Sequence, residues 1–212
     1  MSTLLREFSD GLAAIGGEVL QSLVQVRSGE QGAGAGIIWL SAGLILTNAH
    51  VVSRRRQPAR RGPQRTRHSE SGITVVLADG RTLPASVVAE AQNADLALLQ
   101  IDADDLPAVR RGDSRRLRPG ELVVALGFPW GVTGGATSGV VIAPVGQLAE
   151  QPVGDHEWLA ASLHLRPGHS GGPMVDSAGR LVGINTLMAG PNVGVAVPVH
   201  VAEAFVSDAM AV

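Results

Sequence analysis

The side chains able to do chemistry fall in three short segments of a 212-residue chain. The first is Gly168-His169-Ser170-Gly171-Gly172-Pro173. Glycines around a serine let the backbone bend sharply, and the bend can aim the N–H groups of Gly168 and Ser170 at one point, as an oxyanion hole requires. A plain β-turn would use the same residues. The second is Leu46-Thr47-Asn48-Ala49-His50-Val51-Val52. A histidine directly after a strand is expected at the strand end, facing inward, where it could serve as general base for Ser170. A lone histidine is also a common structural or surface residue. The third is Asn93-Ala94-Asp95-Leu96-Ala97-Leu98-Leu99. A carboxylate opening an apolar strand needs a compensating hydrogen bond. Accepting one from His50 Nδ1–H would supply it and fix the tautomer of the base. A turn or strand-cap aspartate is the plainer reading. Taken together the three are specific, because a base, an orienting carboxylate and a nucleophile in the order His…Asp…Ser make up a triad suited to acyl transfer.

The elements that must position these residues are short and strand-like. Apolar runs bounded by turn residues occur at 23–27, 34–40, 44–47, 73–77, 82–89, 96–101, 122–127, 138–144, 158–161, 172–176, 181–186 and 194–197. A dozen such runs without long intervening helices predict an all-β protein, an antiparallel barrel or sandwich. Helices are expected at the two ends. Leu5, Phe8, Leu12, Ile15 and Val19 mark one face of a helix over 3–23, expected to pack on the body. Pro198 opens a second, with Val199, Ala202, Phe205, Val206 and Ala209 on its apolar face.

Composition excludes other classes. At 45% apolar and 17% charged residues the chain can bury a core, so wholesale disorder is excluded. No apolar run is long enough for a membrane span, and Arg6, Glu7 and Asp10 interrupt any signal-peptide core, which makes the cytoplasm the expected compartment. Without cysteine there is no disulfide, thiolate metal site or cysteine nucleophile, and neither metal nor cofactor is expected. The net charge of −2 hides a split. Every basic residue is Arg, and seven of the 17 lie between Arg54 and Arg67, leaving ten against 19 acidic residues, a net of −9 elsewhere.

The segments Thr47–Val52, Asp95–Leu99 and Gly168–Pro173 resemble the HtrA/Deg (Do-like) serine proteases. So do Ala78-Asp79-Gly80-Arg81, Ala125-Leu126-Gly127-Phe128-Pro129, Leu181–Thr186 and Gly194–Pro198. The resemblance covers nearly the whole chain. It implies a single trypsin-like domain over 1–212: two six-stranded antiparallel β-barrels, about 23–105 and 115–197, with short helices at both ends. It makes His50 the base, Asp95 its orienter and Ser170 the nucleophile, with Gly168, His169 and Ser170 forming the oxyanion loop. The implied function is a serine endopeptidase that cleaves unfolded or damaged polypeptides through an acyl-enzyme. Substrate backbone would pair with the strand around Asn185, Thr186 and Leu187. The side chain before the scissile bond would enter an apolar pocket near Leu165 and Leu187, which favours small aliphatic residues. His164 is expected to face outward. The competing expectation is a protease fold that is silent or activator-dependent and acts by binding.

The sequence departs from that family at His169, where Asn or Asp is usual. Its side chain is expected to point away while its backbone shares the oxyanion loop, and a pH-sensing role ranks below a neutral substitution. Family members continue into one or two PDZ domains, and tethering through a PDZ is expected to be absent from this polypeptide. The N-terminal helix implies a homotrimer. The Arg-rich stretch over 53–72 reads as a long loop insertion beside the cleft. A solvated loop ranks first, a docking element for an acidic partner, membrane or polyanion second. With no interleaved aromatics, specific nucleic-acid recognition is not expected.

Overall fold

The computed structural model describes residues 3–29, 33–53, 72–147 and 157–211. The Arg54–Arg67 cluster lies outside the described residues. Twelve strands run in chain order: β1 (Leu23–Ser28), β2 (Ala33–Leu40), β3 (Leu44–Thr47), β4 (Ile73–Val76), β5 (Thr82–Ala91), β6 (Leu96–Ile101), β7 (Leu122–Gly127), β8 (Gly135–Val140), β9 (Leu159–Ala161), β10 (Pro173–Asp176), β11 (Leu181–Gly190) and β12 (Val193–Pro198). Among the described residues three α-helices accompany them: α1 (Thr3–Leu20), the single turn α2 (Ala49–Val52) and α3 (Val199–Met210).

The first six strands close into an antiparallel barrel in the order β1-β2-β3-β6-β5-β4. Most inward residues are β-branched or leucine, with Val24, Val26, Ile38, Ile45, Val75, Leu99 and Ile101 filling the interior beside Ala85 and Ala97. The other six form a sheet in the order β8-β7-β10-β11-β12-β9. Its two edges meet where Val141 bridges Ala161, with Ser162 N–H donating to the Val140 carbonyl at 2.8 Å. Every element expected from the apolar runs is present. Boundaries shift most at β8, which opens at Gly135 and ends at Val140, at β11, which continues past Thr186 to Gly190, and at α1, which ends at Leu20, short of the expected 23.

The two lobes share a core. Ile37, Trp39, Leu46, Leu96 and Leu98 of the first meet Trp158, Ile184, Val195 and Val197 of the second. Helix α3 covers this group with Val199, Ala202 and Val206, and Phe205 and Ala209 pack partly buried against it. Each large apolar side chain buried there contributes roughly 1.5–3 kcal/mol, enough to fix the lobes against each other. Helix α1 behaves differently along its length. Val19 is buried against Leu23, Val124 and Val175, with Leu12 and Ile15 alongside, but Leu5 and Phe8 are more than half exposed. The helical periodicity is real, and only its C-terminal half finds a surface to cover.

Candidate active site

The site lies where the two lobes face each other. β3 ends at the buried Thr47, and the chain turns at once into α2, which carries His50. The side chain of His50 is 49% exposed, so it faces the open cleft instead of the interior expected for it. One helical turn after the strand rotates the ring outward. Asp95 ends the turn before β6, with its backbone in the left-handed region at φ 50°. Its carboxylate grips one residue twice: Oδ1 accepts the His50 backbone N–H at 3.0 Å, and Oδ2 lies 2.8 Å from Nδ1. That geometry places the proton on Nδ1 and leaves Nε2 to accept.

Asn48, not singled out from the sequence, ties this pair to the other lobe. Its Nδ2 donates to the Asp95 carbonyl at 2.9 Å and to Thr186 Oγ1 at 3.2 Å. A wholly buried asparagine wedged between Thr47 and Ala49 is the signal that could have found it, since a buried amide needs partners.

Ser170 stands on the turn before β10. Its carbonyl accepts the Ala35 N–H at 2.8 Å, which docks the turn onto β2 of the first lobe. Gly171 follows at φ 82°, and any Cβ there would collide with the Ala35 carbonyl and Thr47 Oγ1, so only glycine lets the lobes close this tightly. The Ser170 hydroxyl donates to the Thr186 carbonyl at 3.0 Å. Among the described residues no hydrogen bond joins it to His50.

Arg166-Pro167-Gly168-His169 is a β-turn, closed by His169 N–H to the Arg166 carbonyl at 2.9 Å. Gly168 sits at φ 102°, and a proline followed by a glycine of positive φ selects type II. Type I would rotate the central peptide by roughly 150–170° and reverse the Gly168 N–H. The Gly168 carbonyl is anchored by Phe128 N–H at 2.8 Å. The N–H groups of Gly168 and Ser170 donate to no acceptor among the described residues. The His169 ring turns away from the cleft, as expected, but it is buried, 1% exposed, and it bonds to the backbone of Arg166. Burial pushes its pKa below the usual histidine value. His164 is exposed, as expected.

The expected substrate-contacting residues separate. Asn185 has no backbone group to spare on the β10 side: its N–H donates to Gly172 and its carbonyl accepts from Gly171. Its buried amide donates to the Leu126 and Pro173 carbonyls. Past Ile184, β11 has no strand partner on that side among the described residues, so its open edge begins at Thr186. Leu187 lines a cavity of about 360 Å³ with His50, Gln92, Asp95, Trp158 and Thr186. Leu165 is elsewhere, buried with Leu163 against Gly194, its N–H on the Met188 sulfur at 3.1 Å. No cluster of three or more His, Cys, Asp or Glu that could hold a metal occurs among the described residues. No helix among them is long and apolar enough to cross a membrane.

Residues 34–184 match the trypsin-like peptidase domain family. The chain belongs to that family. Its resemblance within it is to the HtrA type. It is 35% identical over 180 residues to the mitochondrial serine protease HTRA2 of Drosophila willistoni, covering 83% of this chain and 38% of that protein. It is 33% identical over 178 residues to the putative serine protease HhoB of Synechocystis sp., covering 82% of this chain and 39% of the other. The solved structure of the HtrA-type protease AlgW with tripeptide superposes with a TM-score of 0.77 at 30% identity, over 91% of this chain and 61% of that one. The chain thus spans about two fifths of the length of these curated relatives.

Proposed function

We propose that this trypsin-like peptidase domain is a serine endopeptidase acting on polypeptide chains in extended form. The double grip of Asp95 on His50 carries the reading. A carboxylate that binds both the backbone and Nδ1 of one histidine leaves Nε2 basic and aimed at the cleft. In the reaction Ser170 Oγ attacks the scissile carbonyl and passes its proton to His50 Nε2. His50 then protonates the leaving amine, and water releases the acyl group by the same route reversed. The unoccupied N–H groups of Gly168 and Ser170 would hold the oxyanion, and Thr186 onward would pair with the substrate backbone.

The apolar, tightly filled surroundings of Leu165, Met188 and Gly194 favour a small aliphatic side chain before the scissile bond. No acidic side chain lies in Ser162–Pro167 to select a basic one. Such a preference suits a role in the clearance of unfolded or damaged protein, whose apolar segments are exposed.

One observation favours a second reading, an activator-dependent or silent binding protein. The Ser170 hydroxyl rests on the Thr186 carbonyl, so it must rotate toward His50 before it can react. Fluorophosphonate labelling with and without candidate peptides separates the two. The endopeptidase reading expects labelling of Ser170 and casein cleavage without added peptide, both abolished by Ser170→Ala. Cleavage that survives in Ser170→Ala would refute it, and labelling seen only with peptide would establish the second reading.

A further inference from the structure

His169 lies between the two proposed oxyanion donors, yet the reaction gives its side chain no task. The ring is almost wholly buried, and its Nε2 makes no well-formed hydrogen bond among the described residues. Its Nδ1 is engaged. Arg166 N–H donates to Nδ1 at 3.1 Å, while the Arg166 carbonyl lies 3.2 Å from the same nitrogen. That carbonyl already accepts the His169 backbone N–H at 2.9 Å, whereas Arg166 N–H has no other acceptor among the described residues. A neutral imidazole offers one donor nitrogen and one acceptor nitrogen. Only the form with Nδ1 accepting satisfies both backbone groups of Arg166. The two ends of the turn are then tied reciprocally, backbone to backbone and backbone to ring.

We propose that neutral His169 is the positioning residue of the 166–169 turn: its Nδ1 holds Arg166 N–H, keeps Gly168 N–H in the oxyanion orientation, and loses that hold when the ring is protonated. The proposal rests on the reading of Gly168 and Ser170 as oxyanion donors. Protonation adds a proton from solvent to Nδ1 and turns the acceptor into a donor facing another donor. The groups around the ring bear on that step. Burial opposes protonation first, the nearby Arg166 guanidinium and His164 oppose it further, and the Arg166 and Gly135 carbonyls favour it. Gly127 packs on the His169 backbone, the Gly135 backbone lies near the ring, and residues 127–140 carry no ionisable side chain. Burial therefore favours the neutral ring, which takes up a proton at lower pH than an ordinary histidine.

The test uses the full chain, a fluorogenic peptide and two variants. In His169→Asn, Oδ1 occupies the place of Nδ1 and can accept from Arg166 N–H without titrating. In His169→Leu, the volume is kept and the acceptor is lost. His169→Leu is expected to lose roughly 10- to 100-fold in kcat with KM nearly unchanged, somewhat less than loss of an oxyanion donor outright. His169→Asn is expected to recover most of that loss. The ratio of parent to His169→Asn in kcat is expected to be flat near pH 7 and to fall below the His169 pKa, levelling off at roughly the 10- to 100-fold loss of His169→Leu. His50 is common to both proteins and cancels in the ratio. Long-range proton–nitrogen spectra of the parent should show the proton on Nε2. A flat ratio across the acid range, a proton on Nδ1, or a kcat for His169→Leu equal to the parent would each overturn the proposal. The spectrum and the ratio decide the matter even if His169→Leu does not fold. Failure of the endopeptidase reading shows separately, as cleavage that survives Ser170→Ala.

Discussion

His50 is held by Asp95 through its backbone and its ring together, and Asn48 grips Asp95 in turn. Six strands after His50, the turn carrying Gly168 and Ser170 leaves its key N–H groups without an acceptor among the described residues and is held at its flanks. The difference follows from what each half must do. A base has to keep one tautomer and one orientation through every step, so it tolerates being over-determined. An oxyanion donor must stay unsatisfied by protein until charge develops, so its own hydrogen bonds cannot hold it in place. The second lobe therefore fixes the turn indirectly, through the Arg166–His169 ties, the Phe128 anchor and the Ala35 contact across the lobes.

Removing the grip on the base should produce the largest effect. Asp95→Asn keeps the shape but lets Nδ1 become the acceptor, and kcat is expected to fall by about 10⁴, read from peptide cleavage with fold checked by circular dichroism. A loss below tenfold would mean that His50 is held well enough without the carboxylate. Gly168→Ala attacks the other half. At φ 102°, with a Cβ driven into the Phe128 carbonyl, the turn cannot keep its type II form. The expected loss is roughly 10²–10³ in kcat, the size of a missing oxyanion donor, with KM spared. Equal losses from both changes would erase the contrast between the halves.

The smallest effect is on stability. Because the folded His169 titrates below its ordinary value of 6.5, the unfolded chain takes up the proton first as pH falls. The stability it contributes is full above that value and drains away as pH drops through the folded value. Urea midpoints against pH should show this acid-side loss in the parent and less of it in His169→Asn. Identical curves would place the burial of the ring in doubt.

Much of this was legible in the residues. Apolar runs bounded by turn residues located all twelve strands, because most of these strands are buried along their length and read as nearly continuous apolar stretches. The face of α3 was equally readable. The start of β8 was not, since Gly-Ala-Thr-Ser-Gly carries too little side chain to show alternation. Nor was the exposure of Leu5 and Phe8, because a helical stripe does not say whether anything covers it. In the site, the types and order of His50, Asp95 and Ser170 were plain. The separation of Leu165 from Leu187, and the burial of Asn185 under the Gly171-Gly172 turn, depend on register between strands far apart in sequence. The same holds for Asn48 and Thr186, whose contact spans the two lobes.

The placement of α3 has a consequence in time. The shared core brings Trp39 and Leu96 together with Val195, Val197, Val199, Ala202 and Val206. A chain emerging from the ribosome at about 5–20 residues per second can close its first barrel, and with it the His50–Asp95 pair, well before those residues appear. The surface that mates the lobes stays uncovered until β12 and α3 arrive. A half-made molecule thus holds a finished base opposite an unfinished nucleophile, and the cleft is assembled only when the last helix is laid across the seam.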